Sequence, residues 1–295
     1  MTTTSPDLFA LVLRLSAATA GELPARFGHQ VQALFLDLVA QVDPALAERL
    51  HAAAPAKPYT VATLAPVAPP DGGRARLRAG APIVLRVTLL DAALFQPLTR
   101  ALLAQGSRPA LRLGSLALTL AEACCTPGSH PWAGFGSFDE LRAQAHPAGG
   151  IDWHFAAPAA FSNGEDAGLR RVGLFPDPSA VFGSLLRRWN ALAPMPLDPA
   201  LVERAAAQAV VSGYDLRSTV FHLGQATQVG FVGRCRYELR GEPVGRAALA
   251  LLAGAAFYLG VGMKTARGMG LCRANLTQRS AARRVVTPLP AEVEP

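Results

Sequence analysis

The sequence predicts an α+β protein built from two tandem β-α-β-β-α-β units. Period-2 apolar stretches interleave with helical apolar stripes, the order of the first half recurs in the second, and a segment bearing Gly, Pro and His separates the halves. At 295 residues, 51% of them hydrophobic and 17% charged, the chain is long enough and apolar enough to bury two cores.

In the first half, residues 8–18 alternate through Phe9, Leu11, Leu13 and Leu15 and read as a strand. Pro24 precedes a helix over 31–42, where Val31, Leu34, Phe35, Leu38 and Val42 form one stripe. Asp43 as N-cap and Pro44 at the first helical position start a short helix over 45–51. Strands follow over 59–64 and 82–90, separated by the turn Pro69-Pro70-Asp71-Gly72-Gly73. Asp91 caps a helix running through Leu94, Leu98 and Leu102, and 111–121 returns as a strand.

The second half repeats the order. Ile151, Trp153 and Phe155 alternate in a strand over 151–157, and Val181, Phe182, Leu185, Leu186 and Trp189 share one face of a helix over 179–193. A short helix over 199–209 comes next, then a strand pair over 210–223 and 228–240 joined near Gly224, a helix over 243–258, and a last strand over 271–276. The expected domains are therefore 1–125 and 151–280, with a linker over 126–150 and a tail over 281–295. The doubled order is that of tandem ferredoxin-like (RRM-like) domains.

Lys plus Arg number 28 against 21 Asp plus Glu, a formal charge of +7 that favours anionic partners. Lys57 and Lys264 are the only lysines, so nearly all of that charge is arginine. Cys124, Cys125, Cys235 and Cys272 form no C-x-x-C pair and have no His at zinc-ligand spacing, so they read as buried thiols. No metal and no cofactor is expected. The N-terminus lacks a basic n-region and an apolar core of the secretory type, and the longest apolar run, 247–259, is broken by Gly254 and too short for a bilayer. A cytoplasmic protein without membrane contact is expected.

The most unusual segment is Gly260-Val-Gly-Met-Lys-Thr-Ala-Arg-Gly-Met-Gly270. It follows a helix and precedes a strand, the reverse of a dinucleotide fingerprint, and Thr265 stands where a third glycine belongs. A P-loop fails as well, because no Gly-x4-Gly precedes Lys264-Thr265. What remains is a phosphate-backbone cradle: Gly260, Gly262, Gly268 and Gly270 permit close approach and positive φ, while Lys264, Thr265 and Arg267 face the anion. A tight helix-to-strand connection accounts for one or two glycines, not for four interleaved with two cations.

This segment resembles the C-terminal glycine-rich loop of the CRISPR-associated endoribonucleases that cut precursor CRISPR RNA within its repeats, members of the RAMP superfamily. Further blocks are similar to the same family: Asp43-Pro-Ala-Leu-Ala-Glu-Arg-Leu-His51 with Lys57-Pro-Tyr-Thr60, Leu174-Phe-Pro-Asp177 with Leu185-Leu-Arg-Arg-Trp-Asn190, and Gln228-Val-Gly-Phe-Val-Gly-Arg234. The resemblance implies tandem ferredoxin-like domains, metal-independent cleavage, and retention of the processed guide RNA for an effector complex. Expected partners are therefore CRISPR repeat RNA, as precursor and as processed crRNA, effector-complex proteins, and a second copy in a homodimer.

Metal-free RNA cleavage needs a base for the ribose 2′-OH, an acid for the leaving 5′-oxygen, and support for charge on the phosphorane. Histidine suits either proton role near neutrality. His51 ends the short helix, and Lys57 follows it in the next loop, placed to neutralise the phosphate; the resemblance assigns both to catalysis. Where family members carry a tyrosine on the first helix, this chain has Leu36, so His29 is a rival to His51 and Tyr59 a candidate hydrogen-bond donor. Arg234, Arg236 and Arg240 alternate, predicting a basic stripe on one sheet face. The pairs Arg170–Arg171 and Arg187–Arg188 are further candidates for an RNA path. His130 and His146 read as solvated, His154 and His222 as packing residues, and Trp189 as core. Two alternatives to an endoribonuclease stand beside it: a non-cleaving repeat-RNA-binding subunit of an effector complex, and a metabolic enzyme on the same scaffold.

Overall fold

The computed structural model describes residues 5–23, 28–52, 54–64, 75–105, 111–166, 169–223 and 226–278. The expected turn at 69–73, the tail at 281–295 and the side chains of Arg170 and His222 lie outside the described residues.

The N-terminal unit runs β1 (Leu8–Ala17), β2 (Gly21–Leu23), α1 (Gly28–Ala40), α2 (Pro44–His51), β3 (Tyr59–Thr63), β4 (Ala75–Leu77), β5 (Pro82–Leu89), α3 (Phe95–Ala104), β6 (Leu111–Leu113) and β7 (Leu116–Cys124). Its sheet has the order β3-β5-β1-β7-β6, every neighbouring pair antiparallel. The alternation in β1 places Leu11, Leu13 and Leu15 in the core against Phe35 and Leu38 of α1 and Leu98 of α3. Each large apolar side chain so buried contributes about 1.5–3 kcal/mol.

Two ordered elements occupy the expected linker. β8 (Gly134–Gly136) pairs with β1, and α4 (Phe138–Ala143) is capped reciprocally by Ser137 and Glu140. The C-terminal unit then runs β9 (Gly150–Ala159), β10 (Phe161–Asp166), β11 (Leu169–Gly173), α5 (Pro178–Leu192), α6 (Pro199–Gln208), β12 (Val210–Leu223), β13 (Ala226–Glu238), α7 (Pro243–Leu259) and β14 (Cys272–Thr277). Its sheet has the order β12-β13-β9-β14. The four principal strands of each unit thus lie in the spatial order second-third-first-fourth, which is the ferredoxin-like arrangement, present twice.

Two expectations are corrected, and one element is new. The strand expected over 111–121 is a hairpin, because Gly114 at φ +62° turns the chain between β6 and β7. The hairpin of β10 and β11 was not foreseen, since its sequence is polar and glycine-bearing and lacks clean alternation. Arg240 lies beyond the end of β13, so it does not extend the basic alternation of that strand.

The units share their interiors. Leu8, Ala10 and Leu90 of the N-terminal unit belong to the core formed around Trp153, Phe182 and Trp189, while Ala266 of the C-terminal unit belongs to the core around Phe35 and Leu98. Arg86 on β5, only 1% exposed, donates to the carbonyls of Trp132 (2.8 Å) and Phe257 (2.7 Å). Burial pulls its pKa down to about 9, and the charge is held by those carbonyls and by the rings of Phe257 and Trp132, whose centroids are 4.4 and 5.6 Å away. Cys124, Cys235 and Cys272 are buried thiols as expected, and Cys125 is half-buried. Among the described residues no helix is long and apolar enough to cross a membrane.

Candidate RNA-processing site

The site begins with α1 and α2. Asp43 accepts from the Leu46 N–H at 2.9 Å and Pro44 occupies the first turn, so α2 starts where its caps dictate and delivers His51 to its last turn. α1 begins at Gly28, earlier than its apolar stripe suggested, which puts His29 in its first turn. The two helices enclose a groove of about 690 Å³ lined by His29, Gln32, Leu36, Asp37, Glu48 and His51, among others. Both histidines are exposed in it, so the two rivals of the sequence occupy one place.

Lys57 folds back on its own unit. Its ammonium turns back onto α2 and donates to the carbonyls of Leu50 (2.8 Å), His51 (3.1 Å) and Ala52. It thereby satisfies the C-terminal carbonyls that the helix leaves open, and favours the negative end of its dipole. Burial, and then the nearby Arg267 guanidinium, lower the Lys57 pKa. Tyr59 faces inward, behind the groove. It is fully buried, its ring packs on Phe35 at 4.5 Å, and its hydroxyl accepts from Gln32 Nε2 at 2.9 Å. Burial, the largest influence, raises its pKa.

The glycine loop reaches this groove from the other unit. α7 ends at Leu259 with Gly260 as its cap, a single 3-10 turn covers Thr265–Arg267, and the turn packs on α1 and β3. Arg267 Nε donates to Gln32 Oε1 at 3.1 Å. Gln32 therefore joins the groove, the loop and Tyr59 in one chain of hydrogen bonds. Sequence reasoning missed it, because a buried glutamine on an apolar helix carries no pattern; only its 6% exposure and its two partners reveal it.

The four glycines are used internally. Gly260, Gly262, Gly268 and Gly270 all have positive φ, and a Cβ on Gly262 or Gly270 would collide with the carbonyl oxygens of Ala160 or Val261. The close approach that glycine permits is thus made by the protein's own backbone, which folds the loop through Val261 N–H to Gly270 O (2.9 Å), Met263 N–H to Ala160 O (2.9 Å) and Gly270 N–H to Pro158 O (2.8 Å). Lys264 is the one described non-glycine residue with positive φ, at 59°, and Thr265 is buried at 3% exposure. Only Arg267 of the segment is exposed.

On the open face of the C-terminal sheet, the register sets Asp215, Arg234, His154 and Arg273 in a row across four strands. Arg234 is exposed, Arg236 is paired with Asp152 at 2.6 Å, and Arg240 with Glu238 at 3.2 Å, so the basic stripe is partly neutralised. Arg273, unremarked in the sequence, lies 5.2 Å from the Trp132 ring centroid. His154 is half-buried against Trp132, with its pKa lowered by burial, Arg273 and Arg234. His146 is exposed and His130 half-buried. Arg187 is exposed, whereas Arg188 is half-buried and donates to the Lys57 carbonyl at 3.5 Å. Among the described residues no group of three or more His, Cys, Asp or Glu side chains could hold a metal ion.

Comparison with known proteins places this geometry in a family. Residues 8–143 match the model of the CRISPR Cas6 N-terminal domain, and residues 153–272 that of the CRISPR-associated endoribonuclease Cas6. A Thermus thermophilus Cas6 in its product complex is 33% identical, covers 92% of this chain and 100% of its own, and superposes with a TM-score of 0.78. A second Cas6 product complex is 29% identical over 91% of this chain and 99% of its own, with a TM-score of 0.71. The CRISPR-associated endoribonuclease Cas6 of Mycobacterium tuberculosis is 30% identical over 120 residues, 40% of this chain and 37% of the relative's length.

Proposed function

The chain belongs to the family of CRISPR-associated endoribonucleases called Cas6, and we propose on that footing that it cuts precursor CRISPR RNA within its repeats without a metal ion. The ribose 2′-OH attacks the adjacent phosphorus, the bond to the 5′-oxygen breaks, and the products carry a 2′,3′-cyclic phosphate and a 5′-OH. One observation carries the reading: His29 and His51 line one groove, and Gln32 of that groove is bonded to Arg267 of the glycine loop. Two imidazoles in one groove can divide the work, one taking the 2′-OH proton and the other giving a proton to the leaving oxygen. His51 is the residue we assign first, since Lys57 fixes the turn that carries it.

The C-terminal unit supplies binding. Arg267 bonds Gln32 of the groove from the loop, and Lys264, Arg234 and Arg273 are the further cations assigned to the phosphate backbone. We assign retention of the processed guide RNA for effector-complex proteins to the same cations.

Purified protein incubated with repeat RNA and EDTA is expected to yield cyclic-phosphate ends, and a 2′-deoxy substitution at the cut site to block the reaction. Full dependence on Mg²⁺ overturns the mechanism. If His29→Ala alone abolishes cutting while His51→Ala cuts normally, the two histidines exchange roles.

Two observations favour a second reading, a non-cleaving repeat-binding subunit. Lys57 is occupied by three backbone carbonyls, and Leu36 lines the groove where the family resemblance calls for a tyrosine. Tight repeat binding without turnover under single-turnover conditions selects it.

A further inference from the structure

The glycine loop has to meet α1 in one register for Arg267 to reach Gln32, yet it belongs to the other unit. The contacts that set this register lie at the end of α7, immediately before the loop. A helix leaves its last carbonyls without intrahelical donors. Here two of them are taken by β5 of the N-terminal unit: Arg86 Nη2 donates to Phe257 O at 2.7 Å, and Thr88 Oγ1 donates to Tyr258 O at 2.9 Å. Thr88 is fully buried, and Thr60 of β3 lies 2.6 Å from its hydroxyl. Arg86 also ties in the segment between the units through Trp132 O. Gly260 follows two residues after Tyr258, and the loop is then pinned on its far side by Ser184 of α5, whose hydroxyl accepts from Gly262 N–H at 3.1 Å.

We propose that Arg86 and Thr88 are positioning residues for RNA processing: they cap the end of α7 from the opposite sheet and so fix the glycine loop against the α1–α2 groove. Arg86 suits this use because its planar fork donates to two carbonyls at once while its face lies against Phe257 and Trp132; lysine offers a point charge without the fork. The catalytic part of the inference rests on the endoribonuclease reading, whereas the positional part does not.

The test measures amide hydrogen exchange of the full chain without RNA, and single-turnover cleavage of repeat RNA alongside it. Thr88→Val keeps the volume and removes one hydroxyl. It is expected to speed exchange across residues 260–270 by about tenfold, the size of one lost hydrogen bond, while the β6–β7 hairpin keeps wild-type protection. Arg86→Met is expected to do more, and Arg86→Lys to fall between Arg86→Met and wild type. Cleavage rate at saturating protein is expected to fall in the same order. Leu113→Ala, a buried change on β6 at the opposite edge of the sheet from β3, serves as control: it should lower the Tm without loosening the loop.

Unchanged exchange at 260–270 in Thr88→Val overturns the proposal, and that variant decides the matter even if Arg86→Met does not fold. A loop that loosens while cleavage keeps its wild-type rate overturns the link to processing. Wild-type protein that does not cut at all overturns the endoribonuclease reading instead, leaving the exchange result to stand.

Discussion

The helix pair α1–α2 of the N-terminal unit and the pair α5–α6 of the C-terminal unit hold equivalent positions behind their sheets, yet one is open and the other sealed. In α5–α6, Trp189 is fully buried with its indole N–H on Met195 O at 3.0 Å, and Asn190 closes the connection by bonding both the N–H and the carbonyl of Leu197. Val202, Ala205 and Ala206 complete a dry contact. In α1–α2 the equivalent space is the groove bearing His29, Gln32, Asp37, Glu48 and His51. A repeated fold does not require repeated use. The sealed pair carries stability, and the open pair keeps titratable groups where a substrate can reach them.

The sharpest way to break that contrast is His51→Ala, expected to slow cleavage by about 10²–10⁴-fold while leaving RNA affinity and Tm near wild type. Trp189→Ala tests the sealed pair, with an expected stability loss of about 3–5 kcal/mol in denaturant titration. A loss of that size from His51→Ala would make the two pairs alike. Gly262→Ala comes next: positive φ and the Ala160 carbonyl together predict a loss of about 1–3 kcal/mol, read as a fall in Tm. Lys57→Met should cost about 1 kcal/mol through the lost cap. It should leave the salt dependence of RNA affinity unchanged; a slope reduced by about one places the ammonium on a phosphate instead.

The smallest expected effect is one of pH. Burial, followed by Arg273 and Arg234, lowers the His154 pKa from 6.5, and burial with Arg14 lowers that of His130. The unfolded chain therefore binds more protons than the fold just below pH 6.5, so stability is lost as pH falls through that window and is unaffected above it. A flatter Tm profile between about pH 5 and 7 in His154→Gln, relative to wild type, checks the sign.

Much of this was legible before any coordinates. The alternation in β1, the Asp43-Pro44 start of α2 and the single stripe of α5 each follow from local rules, and the structure keeps them. His29 and His51 were both readable as candidates; that they share one groove was not, because it depends on how two helices cross. A lysine near a histidine suggests a phosphate, and the sequence does not reveal which carbonyls its flexible stem reaches. Arg86 gave no signal in its strand, since Ile83 and Leu85 share the alternation of a half-exposed sheet; the seam between units buries the other side as well. The glycines, read in the sequence as a cradle for an anion, are required by the loop's own backbone.

The exchange of Leu8, Ala10 and Ala266 between the two cores bears on how the molecule comes into being. Leu8 lies on β1, yet the core it fills includes side chains of α7, which comes more than 230 residues later in the sequence. β1 therefore completes its packing only once α7 is in place. Neither unit can then be cut out as a freestanding module without opening a hole in the other, and the whole protein is expected to melt in one cooperative transition rather than two.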